Sequence, residues 1–302
     1  MYYPILRGKQ FELIALRELA AKLPPKTVTP FIEPVRINLR PLTATIECLY
    51  EQGIMPVIVI NPSLGDFSKS ETNLADSLNK VVKNKYIPCI KISANRKISE
   101  EIQRSINNET AVFIEGSIDK TTIALINDAK FTFINTERVS TAAIPLLKNL
   151  VIYKDSFDKQ SRNADYQESS FYSNTHVDYN KTENAIGFGD FTILSEDYSE
   201  SGGPAYVVTI HLSYIDDEQF DSMYVRHFSS FNDDSPTNPG GKFSDALQKL
   251  TAYVNDNPQK FYKSTGLTGL LDLNAKPFPG LGVVKKMSLK HHIETIADYI
   301  GE

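Results

Sequence analysis

Glu33, Glu115 and Asp190 each stand where a short apolar run meets a polar segment, in PFIEPV, AVFIE and GFGD. A carboxylate at the end of a buried strand is placed to act as a general acid or base, or to ligate a divalent ion. Cations end runs of the same kind: Arg7 after YYPIL, Arg36 after PFIEPV, Lys91 within YIPCIKIS, and Lys154 closing LVIYK, with Asp155 next in the chain. Asn61 closes MPVIVIN. Arginine and lysine donors beside carboxylates suit a phosphorylated or carboxylated ligand, with a divalent metal such as Mg²⁺ as an accompanying cofactor. Charges left buried and unpaired are costly, so the same residues also read as a ring of mutually paired charges.

Two histidines form a second constellation. His211 lies inside YVVTIHLSY and His227 inside MYVRHFSSF. If these runs pair as neighbouring strands, the two rings approach each other. With Asp190 they would supply three donors for a transition metal, but the spacing matches no metal signature, and a hydrogen-bonded structural pair is the simpler reading. His291 and His292 open a final helix in this reading, and neighbours on a helix point about 100° apart, so the two cannot chelate one ion. Cys48 and Cys89 read as small apolar core residues. No Walker loop, nucleophile elbow, His-Glu-x-x-His or CxxC pair occurs.

These residues are held by a regular rhythm. Strands are expected over 3–7, 27–35, 55–61, 86–93, 111–115, 130–135 and 150–154, with amphipathic stretches between them. The runs are continuously apolar rather than alternating, as parallel strands buried on both faces require. An eighth run at 186–192 completes the count for a (β/α)8 barrel, and the absence of a glycine-rich phosphate fingerprint after the first strand argues against a doubly wound sheet. The expected fold is therefore an α/β, TIM-barrel-like single domain over 1–302, with inserted lid segments at 156–184 and 195–240 and helices at 242–254 and 289–299. Barrel enzymes carry their sites where the strands end, which would bring the scattered charged residues together.

Composition narrows the setting. A net charge of −5 argues against direct nucleic-acid binding. Two cysteines, no signal-peptide layout and no membrane-length apolar run lead to the expectation of a cytoplasmic protein without a membrane association. Charge is uneven. Residues 182–225 hold nine acidic groups and no Lys or Arg, whereas 276–292 hold four Lys and two His and no acid. Such blocks are either differently solvated faces, or an acidic surface for a basic partner beside a basic rim for an anion.

The blocks YYPILRGKQFELIALREL, PFIEPV, VINPSLGDF, DSFDKQSRNADY, GFGDFTIL, SGGPAYVVTIHLSY, KFSDAL and KHHIETIA, in this order, resemble the bacterial and phage "beta protein" family over nearly the whole chain. The resemblance draws attention to Arg7, Glu33, Asn61, Asp155, Arg162, Asn163, Asp165, Tyr166, Gly187, Asp190, His211 and His227. It also implies that 156–184 is an ordered loop. It implies a component of a phage-defence or mobile-element system, working with a protein partner from the same operon, and it supplies no reaction. Two alternatives stand beside it. One is a barrel hydrolase for a phosphodiester or nucleotide-like substrate, with Glu33, Glu115, Asp190, His211 and Lys154 as its catalytic set. Its ligand-binding set would be Arg7, Arg36, Asn61, Lys91, Asp155, Arg162, Asp165, Tyr166 and His227. The other is a non-catalytic sensor of a small anionic ligand.

Overall fold

The computed structural model describes residues 1–69, 71–93, 98–200, 202–203 and 205–301. Eight parallel strands close into a barrel in the order β1 (Tyr2–Leu6), β2 (Phe31–Ile32), β3 (Val57–Val59), β4 (Ile87–Ile92), β5 (Ala111–Ile114), β6 (Phe131–Ile134), β7 (Leu150–Lys154) and β9 (Ala185–Asp190). All eight expected runs are barrel strands. Helices α1 (Gln10–Leu19), α2 (Arg40–Glu51), α3 (Ala75–Val82), α4 (Glu100–Arg104) and α5 (Lys120–Ile126) follow β1 to β5. The helix expected over 141–148 is only a 3-10 turn, Ile144–Leu146. Pro145 sits mid-segment, where it removes an N–H and its ring clashes with the carbonyl four residues back. A single turn, α6 (Thr175–Asp178), leads toward β9.

Contacts gather the chain into two compact units. The barrel unit comprises Met1–Asp155 and Thr175–Asp190, and the second comprises Ser156–Asn174 and Phe191–Glu302. The sequence reading had one domain over 1–302; the segments it took for a lid, 156–184 and 195–240, belong largely to this second unit.

Aromatic contacts identify the barrel's inner face. Phe31 of β2 and Phe113 of β5 are not on neighbouring strands, yet their rings lie 5.2 Å apart. Phe133 of β6 touches Phe31 at 5.0 Å and Tyr3 of β1 at 5.2 Å, and Tyr153 of β7 stacks on Phe113 at 4.4 Å. Only the interior brings these strands together. The register carries this parity around the barrel: Ile5 pairs with Phe31, Phe31 with Val57, Lys91 with Phe113, Phe113 with Phe133 and Tyr153 with Gly189. Gly187 and Gly189 hold the inward positions on β9, where a Cβ would meet the Met1 and Tyr3 carbonyl oxygens at 2.6 Å. Small residues there let β1 come close.

In the second unit, β8 (Ser169–Ser173), β10 (Thr209–Asp216) and β11 (Ser222–Ser229) form an antiparallel sheet in the order β10-β11-β8. Its helices are α7 (Pro239–Asp256), α8 (Thr265–Leu271) and α9 (Leu281–Tyr299). Ile210, Leu212 and Phe228 pack with Phe243, Leu247 and Leu250 of α7 and Leu267 and Leu270 of α8. Asn238 caps α7 by accepting from the Gly241 N–H at 3.0 Å. Helix α9 begins two turns before the expected start at 289, so His291 and His292 lie in its middle. Among the described residues no helix is long and apolar enough to cross a membrane.

Candidate functional site

Two residues beyond the inward Phe31 comes Glu33, and two beyond Phe113 comes Glu115; Arg7 stands in the same relation to Ile5, and Lys91 to Cys89. Alternation therefore turns all four toward the barrel axis at the end where the strands finish. Arg7 Nη1 lies 2.6 Å from Glu33 Oε2. Lys91 Nζ lies 2.7 Å from Glu33 Oε1 and 2.9 Å from Glu115 Oε1. Glu33 Oε1 also accepts from the Ser63 N–H at 3.2 Å. Asn61 clips the Lys91 backbone from both sides, its Nδ2 donating to the Lys91 carbonyl at 2.9 Å and its Oδ1 accepting from the Lys91 N–H at 2.8 Å. The result is a chain of alternating charge, Arg7–Glu33–Lys91–Glu115, built from four strands.

The four groups differ in exposure. The Glu33 side chain is 1% exposed, Lys91 5% and Arg7 12%, while Glu115 is 33% exposed. Burial alone would raise the Glu33 pKa. Lys91 and Arg7 more than offset this, helped by the Lys91 and Ser63 hydrogen bonds, and hold the carboxyl below its ordinary value of 4.5. Glu33 is thus a fixed anion and a poor base. Directly beneath Lys91, burial pushes the Cys89 thiol well above its ordinary range, with Glu33 adding to the effect, so it stays protonated and inert.

Other expected members of this cluster lie elsewhere. Asp190 pairs in register with Pro4 and Lys154, on the opposite parity from Gly189 and Tyr153. It faces outward, where its Oδ1 accepts from the Tyr2 hydroxyl at 2.9 Å. Lys154 shares that outward parity and pairs with Glu137 at 2.8 Å on the surface. Arg36 lies beyond β2 and pairs with Asp66 at 3.3 Å, half exposed. Asp155 is exposed at the end of β7. The expected convergence is correct for Arg7, Glu33, Asn61, Lys91 and Glu115, and a one-residue phase excludes Lys154 and Asp190. Ser63 was missed; only its place just after the Asn61 strand signals it.

The remaining expected residues belong to the second unit. His211 and His227 are register partners on β10 and β11, with Nδ1 atoms 2.7 Å apart. His227 Nε2 meets Ser170 Oγ at 2.9 Å. Tyr166 stacks on His227 at 4.6 Å and meets His211 edge-on at 4.8 Å, and Phe157 meets His211 at 5.1 Å. Burial and then Arg226 lower His227 to about 4. Burial, then His227 and Lys285, lower His211 well below its usual value. Two neutral rings share one N–H between them, and four mutually packed rings fill the space. Beside Tyr166, Arg162 and Asp165 form a two-pronged pair at 2.9 and 2.6 Å on the surface. Among the described residues no group of three or more His, Cys, Asp or Glu side chains is placed to hold a metal ion. These residues therefore dock the 156–168 segment onto the sheet.

No protein-family model matches the chain, and a search of curated proteins finds no match to it.

Proposed function

We propose that this protein binds a small anionic ligand at the barrel mouth and acts as a sensor rather than as a hydrolase. The observation that carries the reading is the convergence of Arg7 and Lys91, from two separate strands, on the single buried carboxylate of Glu33 at the strand C-termini. Two cations surround one fixed anion, and the remaining positive charge is met on Lys91 by the one-third-exposed Glu115, which an entering phosphate or carboxylate can replace. A hydrolysis that used Glu33 as its general base would need it to take a proton readily, and Glu33, held ionised by its partners, is a poor base.

The blocks that resemble the beta protein family support a cytoplasmic setting in a phage-defence or mobile-element system, with a partner from the same operon. The test is calorimetric titration of the wild type and of Arg7→Met with inorganic phosphate and nucleoside monophosphates, with product analysis alongside. Saturable binding without turnover, weakened in Arg7→Met, is the expected result. A wild-type protein that binds none of these anions, or one that converts them to product, overturns the reading.

A further inference from the structure

We infer that Glu115 is a built-in stand-in for the ligand's anionic group, occupying Lys91 until an incoming phosphate or carboxylate replaces it. The inference rests on the anion-binding reading above. The two carboxylates on Lys91 Nζ are not equivalent. Glu33 is enclosed, shares its two oxygens between Arg7 and Lys91, and takes a further hydrogen bond from the Ser63 N–H. Glu115 reaches the same nitrogen at 2.9 Å from a side chain one-third exposed. Solvent compensates Glu115 when it leaves, whereas Glu33 has no such route.

Charge arithmetic makes the departure an exchange. Arg7, Glu33, Lys91 and Glu115 sum to zero. With Glu115 withdrawn, the enclosed remainder carries one positive charge, which is costly unless an anion arrives. Lys91 stays in place when Glu115 leaves, because its Nζ remains on Glu33 Oε1 at 2.7 Å and Asn61 fixes its backbone from both sides. A carboxylate or a phosphate oxygen on the ligand thus takes over the hydrogen bond that Glu115 gives up. Glu115 thereby sets a threshold: weak, singly charged solutes compete poorly with a tethered carboxylate, and a ligand with a second contact to Arg7 competes well.

The experiment titrates wild type, Glu115→Gln and Glu137→Gln with inorganic phosphate and, separately, with acetate. Glu137→Gln removes a carboxylate that pairs with Lys154 on the outer surface and does not touch Lys91. Glu115→Gln is expected to bind phosphate about fivefold tighter or more, the equivalent of about 1 kcal/mol, and Glu137→Gln to match wild type. A larger gain for phosphate than for acetate identifies a ligand that also engages Arg7; equal gains identify a carboxylate-sized monoanion, and both support the exchange. If Glu115→Gln binds no tighter than wild type, or Glu137→Gln gains as much, the stand-in is refuted while anion binding survives. If no form binds either anion, the sensor reading itself fails. Should Glu115→Gln fold poorly, Glu115→Asp withdraws the carboxylate by one methylene, and an unchanged affinity there refutes the exchange equally.

Discussion

At the scale of single residues, one buried carboxylate organises the barrel mouth. Glu33→Gln keeps the shape and removes the charge that holds Arg7 and Lys91. It should cost about 3–5 kcal/mol, because stranded buried cations are far more expensive than a lost surface pair. Lys154→Ala breaks only an exposed pair with Glu137 and should change stability by no more than about 1 kcal/mol. Urea unfolding followed by tyrosine fluorescence, in a chain with fifteen tyrosines and no tryptophan, measures both. A Glu33→Gln protein as stable as Lys154→Ala would show that the buried chain of charge is not what fixes the mouth.

At the scale of elements, the phase of each strand decides which residues meet. The sequence marks the eight barrel strands clearly, because continuous apolar runs bounded by polar segments and helices have few other solutions. The same continuity hides the phase: a strand buried on both faces has no polar side to show which alternate residues look inward. Hence Glu33 and Glu115 could be grouped with Asp190 and Lys154, although β7 and β9 turn the latter two outward. The inward glycines of β9 mark a close backbone approach, and a prediction follows from them. Gly189→Ala puts a methyl group against the Tyr3 carbonyl and should destabilise by about 1–3 kcal/mol, as overpacking does. An unchanged melting temperature would mean that β1 and β9 separate at little cost. Helix α9 begins before its expected start for another reason. Its middle is polar yet buried: His291 Nε2 donates to the Ser213 carbonyl at 2.7 Å, its Nδ1 lies 2.7 Å from Ser264 Oγ, and His292 Nδ1 lies 2.7 Å from Ser213 Oγ. Partners so distant in sequence leave no local signal.

At the scale of the whole molecule, His227 and His291 make stability depend on pH. Burial lowers His227 and His291 from 6.5 to about 4; Arg226 adds to the first shift, and the Ser213 hydrogen bond opposes the second. Below pH 6.5 the unfolded chain takes up protons that the folded one refuses, so stability is complete above 6.5 and falls as pH drops toward 4. The loss approaches about 3 kcal/mol for each ring. Glu33, held below 4.5, adds its own loss as pH falls below about 4.5. Thermal melts at about pH 7.5, 6 and 5 should show a steady decline, and a flat profile would mean that the rings charge freely in place. The division into two units has a temporal side as well. A chain made from its N-terminus cannot close the barrel when β7 emerges, because β9 is the strand that joins β7 to β1. Between those two strands comes β8, whose partner β11 is not made until Ser222. At about 5–20 residues per second, that leaves β8 waiting on the ribosome for several seconds with an open edge. Its sequence, SSFYS, has four hydroxyls in five positions, so the orphan strand can stay hydrated until its sheet exists.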